Sequence, residues 1–135
     1  MKLENKVILV FGVFDRLHAG HLYFLVQAAK HGGVIAVVAR DSSVQKLKNK
    51  KPTQNEEKRI IELKKTSLIK DAVLGDKITG AYEVVKKLQP DIICLGYDQT
   101  ALDKDLRRYF LASGQRIKII KIKAFKPDKL HTSLL

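Results

Sequence analysis

Val7 to Phe11 and Val34 to Ala39 are apolar throughout, and Asp91 to Leu95 is apolar after its first residue. A strand with one wet face alternates polar and apolar residues. A strand without alternation is buried on both faces, which calls for a parallel sheet covered by helices on either side. Between these runs the period becomes helical. Leu22, Leu25, Val26 and Ala29 fall at i, i+3, i+4 and i+7, and Ala81, Val84, Val85 and Leu88 form a second stripe that starts from Thr79. A further helix is marked by Leu102, Leu106, Tyr109 and Phe110. Gly32-Gly33, Pro90 and Ser113-Gly114 provide the stops. Asp71 to Gly75 reads as a short strand, and Arg116 to Lys123, with lysines among isoleucines, as an edge strand. The expected fold is α/β: a single doubly wound domain over residues 1–135, with a mostly parallel five-stranded sheet in the order 3-2-1-4-5.

The most informative junction follows the first strand. Gly12-Val13-Phe14-Asp15 leads to His18-Ala19-Gly20-His21, and the helical stripe begins at once. A strand that turns into a helix in this way aims free N–H groups and the positive dipole end at whatever lies beyond the strand, which suits a phosphate. Histidines three apart at a helix start can present both rings to one point, while Gly20 keeps a Cβ out of the way. The bland alternative is one capping histidine and one core histidine.

Gly-x-Phe-Asp-x-x-His-x-Gly-His resembles the signature of the cytidylyltransferase-like nucleotidylyltransferases, whose domain is Rossmann-like. The resemblance implies an enzyme that joins a nucleoside monophosphate from a triphosphate to a phosphorylated acceptor and releases pyrophosphate. It implies His18 and His21 as donors to the phosphates, with Gly12, Val13, Phe14, Asp15 and Gly20 around them. It also implies Lys46 and Lys48 against the triphosphate and Arg59 reaching over to it. Many members have Thr where this chain has Val13. Thr132 and Ser133 resemble the hydroxyl pair of the family's closing motif, although His131 replaces the usual serine and Lys126 stands where an arginine is usual.

In open α/β sheets ligands gather at the carboxyl ends of strands. Arg40 to Lys51 is therefore expected to be a loop bordering the same crevice as the histidines, with Lys50 and Lys51 reading equally well as solvated surface. Thr53 and Glu56 have the spacing of a capping box for the helix that follows, which should run to about Lys65. A plain surface arginine, paired with Glu56 or Glu62, is the alternative for Arg59. At the end of the fourth strand, Gly96 lets a nucleoside approach, Asp98 can accept from ribose hydroxyls, and Gln99 can both donate and accept.

Composition narrows the partners without choosing among them. The formal net charge of +12 attracts polyanions, and small polyphosphates explain it as well as nucleic acid does. Aromatic residues interleaved with basic ones are too few to favour a single-strand binding surface, so nucleic acid is not the expected partner. A single cysteine, Cys94, fits a reducing compartment. The first apolar run ends at Asp15 and Arg16, far short of a membrane span and without a small-residue cleavage site after it, so a cytoplasmic protein with no membrane partner is expected.

The expected function is thus nucleotidylyl transfer. The pattern leans towards ATP and FMN, as in the archaeal type of FAD synthetase, with CTP and glycerol 3-phosphate as the alternative. A non-catalytic nucleotide- or RNA-binding module is the alternative of another class. Mg²⁺ would arrive with the nucleotide, no metal site formed by the protein is expected, and the resemblance implies a homodimer as a common assembly.

Overall fold

In the computed structural model, which describes residues 5–78 and 80–125, the chain alternates strands and helices in the order β1 (Val7–Gly12), α1 (Ala19–Ala29), β2 (Gly33–Val38), α2 (Asp41–Lys48), α3 (Glu56–Lys65), β3 (Asp71–Leu74), α4 (Glu83–Leu88), β4 (Ile92–Gly96), α5 (Thr100–Ser113) and β5 (Lys118–Ile122). The sheet order is β3-β2-β1-β4-β5, and every pairing is parallel. β1 is central: Val10 lies beside Ala36 of β2 on one side and Cys94 of β4 on the other.

The unbroken apolar runs are explained by two cores, one on each face. Ile8, Val10, Ala36, Val38 and Cys94 point to the face covered by α1 and α3, where Leu25, Ala28 and Leu63 meet them. Leu9, Val37, Ile93 and Leu95 point to the other face and meet Val85, Leu106 and Phe110 of α4 and α5. Alternate residues of each strand thus serve opposite cores, which is why no polar alternation survives. Cys94 is fully buried, and burial pushes its thiol up to about 11, so it behaves as a small apolar side chain. β5 pairs only with β4; among the described residues its other edge is bare, and it carries Lys118 and Lys121. No helix among the described residues is long and apolar enough to cross a membrane.

Three local expectations are corrected. The stretch after Arg40 is not a loop throughout: Asp41–Lys48 is a helix, ended by Asn49 in a left-handed conformation at φ 53°. The cap of α3 is Asn55, whose side chain accepts from Lys58 N, and not Thr53, whose N–H is bound elsewhere. Helix α4 starts at Glu83, where the Asp76 carboxylate takes the free N–H groups of Glu83 and Val84. Thr79, the expected start, lies outside the described residues.

Candidate functional site

Helix α1 starts at the carboxyl end of β1, and its capping groups are the two histidines themselves. Gly20 N donates to His18 Nδ1 at 3.1 Å, and His18 N donates to His21 Nδ1 at 3.2 Å. Since a backbone N–H can only donate, both Nδ1 atoms must be unprotonated. Each neutral ring then carries its proton on Nε2. The rings stack with centroids 3.8 Å apart and planes 27° from parallel. Burial holds the His21 pKa below its ordinary value, and the neighbouring His18 adds to that against the opposing pull of Asp15. Capping and ligand binding, posed as alternatives by the sequence, are compatible: the cap fixes the tautomer that leaves two N–H donors available. Gly20 serves this arrangement directly, because a Cβ there would lie 3.0 Å from Cε1 of His18.

The loop before the helix is strained and pinned. Phe14 and Arg16 both take left-handed backbone conformations, at φ 54° and 53°. The Phe14 ring is buried in the core beside His21, and Gly12 must lack a side chain because a Cβ would approach that ring to 2.8 Å. Asp15 accepts from Thr53 N at 2.7 Å and Gln54 N at 2.9 Å. Burial alone would raise its pKa, but these two N–H groups and the nearby Arg59 charge outweigh burial and lower it. The carboxylate therefore ties the β1–α1 loop to the α2–α3 connection, whereas the sequence suggested a nucleotide contact.

Arg59 is the largest departure. It is fully buried and is neither a surface arginine nor a residue of the crevice lining. Its Nη1 donates to Val13 O and Ala39 O, each at 2.8 Å, its Nε to Gln54 O at 3.1 Å, and its Nη2 to Asp41 Oδ1 at 2.6 Å. The planar fork of a guanidinium suits several acceptors at fixed angles. With these bonds made, Arg59 joins the loops that follow β1 and β2 from beneath. Asp41 and Glu56 complete the joint by exchanging backbone N–H to carboxylate bonds at 2.8 and 3.2 Å.

Above this joint lies a crevice of about 970 Å³ at the carboxyl ends of β1 and β4. His18, Gly20 and His21 line it together with Gly12, Val13, Phe14 and Asp15. Of the expected lysines Lys48 lines it and Lys46 does not. The reason is helical phase: buried Val44 and Lys48 stand one turn apart on the inner face of α2, and Lys46 falls on another face. Lys50 and Lys51, which the sequence left undecided between surface and site, line the crevice, and so does Lys123 beyond β5. Their place agrees with the expectation that the segment after β2 borders the crevice of the histidines.

At the end of β4, Gly96, Tyr97, Asp98 and Gln99 all border the crevice. The Gln99 amide is already engaged: its Oε1 accepts from Gly96 N and its Nε2 donates to Phe11 O, each at 2.9 Å. It ties the ends of β1 and β4 together with one acceptor and one donor position of the amide and is held at the crevice border by them. Asp98 is exposed and available. Thr132 and Ser133 lie outside the described residues, as do Lys126 and His131. The sequence reading missed Tyr23, Phe24 and Phe125, which also line the crevice; helix periodicity gives core and crevice aromatics the same signal at Tyr23 and Phe24, and Phe125 stands beyond β5 with no periodicity to place it. Among the described residues there is no cluster of three or more His, Cys, Asp or Glu side chains able to hold a metal ion.

Comparison with known proteins bears on the family and the fold. The family model described as cytidylyltransferase-like matches residues 9–134. A protein named FAD synthase from Aciduliprofundum boonei is 38% identical, with 92% of this chain and 83% of that protein covered. One of the same name from Pyrococcus horikoshii is 36% identical, with 98% and 92% covered. Among solved structures, the lipopolysaccharide core biosynthesis protein from Thermoplasma volcanium superposes with a TM-score of 0.82 at 32% identity, over 90% of this chain and 98% of that one. Pantothenate synthetase from Thermus thermophilus shares the fold, with a TM-score of 0.60 at 16% identity, over 93% of this chain and 58% of its own.

Proposed function

The chain belongs to the cytidylyltransferase-like family, and on that premise we propose that it transfers an adenylyl group from ATP to FMN, giving FAD and pyrophosphate. The names of the relatives support FMN over glycerol 3-phosphate as acceptor and ATP over CTP as donor. A family of nucleotidyltransferases likewise weighs against a purely binding module.

The observation that carries this reading is the histidine pair, with both Nδ1 atoms held by backbone N–H groups and both rings lining the crevice. In the reaction a phosphate oxygen of FMN attacks the α-phosphorus of ATP, the bond from that phosphorus to the bridging oxygen breaks, and pyrophosphate departs with the electron pair. The acceptor is already a competent nucleophile, so no covalent enzyme intermediate is required. Charge grows on the non-bridging oxygens and on the leaving group, and the contribution of the protein is to hold donors where that charge develops. His18 and His21 donate from Nε2 to the α- and β-phosphate oxygens, beside the positive end of the α1 dipole. Lys48, Lys50 and Lys51 neutralise the departing pyrophosphate. Arg59 acts from below by fixing the two loops, and Asp98 meets the ribose. Mg²⁺ would come with the nucleotide and would supply further positive charge to its phosphates.

The test is pyrophosphate release by the purified chain with each nucleoside triphosphate against a panel of phosphorylated acceptors. ATP with FMN should give the highest rate, and a preference for CTP with glycerol 3-phosphate would overturn the choice of substrates.

A further inference from the structure

The crevice has two unlike flanks. Lys48, Lys50 and Lys51 stand on the β2 side of β1, and they suit phosphates. On the β5 side, Tyr23 and Phe24 of α1 line the same crevice with Ile122 and Phe125, and Lys123 is the one charged residue among them. Tyr23 and Phe125 are in direct ring contact, with centroids 5.3 Å apart and planes 47° from parallel. Both are half-buried, and Tyr23 packs its inner side on the core. The phosphate chemistry uses neither of them.

We propose that Tyr23 and Phe125 form a stacking wall for the flat heteroaromatic ring of a substrate. The inference rests on the adenylyl-transfer reading, in which both substrates carry such a ring, adenine on one and isoalloxazine on the other. A ring face needs no hydrogen-bond partner to stack on an aromatic side chain, so a wall of this kind selects flatness and area, while polar groups elsewhere read the edges. An aliphatic lining would bury the ring equally well but would lack the matching π-face. Removing one stacking partner typically weakens binding by about 5- to 150-fold.

The test compares Phe125→Leu and Tyr23→Leu, which keep apolar bulk and lose the π-face, with Tyr23→Phe, which keeps it. FMN alone is titrated by flavin fluorescence, ATP alone by calorimetry, and pyrophosphate alone as a probe of the lysine flank. We expect one ring-bearing ligand to lose about 5- to 150-fold in affinity in both leucine variants, with pyrophosphate binding unchanged and Tyr23→Phe close to wild type. The ligand affected identifies the ring. The wall is overturned if both ligands bind the leucine variants as they bind wild type, or if pyrophosphate affinity falls equally. FAD formation by the wild type is scored separately: a chain that makes no FAD but loses ATP affinity on Phe125→Leu keeps the wall and refutes the acceptor.

Discussion

Nη2 of Arg59 lies 2.6 Å from Oδ1 of Asp41, with the arginine side chain wholly out of solvent and the aspartate about a third exposed. The pair connects α3 to the start of α2, and the same guanidinium holds the carbonyls of Val13 and Ala39 at the ends of two central loops. A buried charge joined in this way belongs to the scaffold of the site, which makes its substitution a test of fold before it is a test of chemistry.

Arg59→Lys should therefore destabilise the protein by about 2 kcal/mol or more, because it leaves buried carbonyls of Val13, Ala39 or Gln54 without a donor. An ammonium cannot serve acceptors spread over a planar fork. Urea unfolding measures the effect. An Arg59→Lys variant of unchanged stability and lost activity would instead return Arg59 to the substrate phosphates.

His18→Asn separates the cap from the chemistry. Asparagine is a good N-cap and can take the N–H that His18 Nδ1 now accepts, but it offers no donor at the position of Nε2. Stability should change by less than about 1 kcal/mol, and kcat should fall by about 10²- to 10³-fold, the usual effect of losing one such donor. Unfolding data and steady-state kinetics on one preparation decide it, and a variant that keeps full activity would leave His18 as a cap alone.

The His21 tautomer sets a pH dependence whose sign can be worked out. Its folded pKa lies below the ordinary value of about 6.5, so between the two values the unfolded chain binds the proton and the folded chain does not. Stability from this group is fully present above about pH 6.5 and is lost as pH falls through the folded pKa. Protonation also forces a hydrogen onto one more ring nitrogen and ejects the His18 N–H from Nδ1. Thermal unfolding of wild type and His21→Ala across that range should show the slope in wild type only; parallel slopes would remove His21 as its source.

The lysines provide a contrast that the sequence could not. Lys48→Ala and Lys50→Ala should each raise the KM for ATP, whereas Lys46→Ala, on the far side of α2, should leave it unchanged. Equal effects at all three would point to a diffuse field in place of placed contacts, and salt titration would then weaken them together.

Much of this molecule could be read before its structure was known, because burial on both faces and helical periodicity are written into side-chain type. The parallel sheet with β1 buried on both faces and the β1–α1 junction follow from such patterns, whereas the strand order came from the rules for doubly wound sheets and attention to the histidine pair from its motif. What escaped was any bond whose partner is distant in sequence. Arg59 meets Val13 and Ala39 only after β1 and β2 have aligned, Asp15 meets Thr53 between two connections, and Gln99 meets Phe11 between neighbouring strands. A buried arginine and a bound one carry the same letter, so only the fold could say that Arg59 supports the site from beneath. Lys46 and Lys48 were separable only once the segment was known to be helical.

In the proposed reaction the adenylyl group of ATP, its α-phosphorus included, passes to the phosphate of FMN. This transfer is tested most directly by following ATP labelled in its α-phosphate or, separately, in its γ-phosphate through a single turnover with FMN. The α-label should appear in FAD and the γ-label in pyrophosphate, with neither in ADP nor in orthophosphate. Label from the γ-position in a phosphorylated flavin, or release of orthophosphate with no FAD formed, would contradict it.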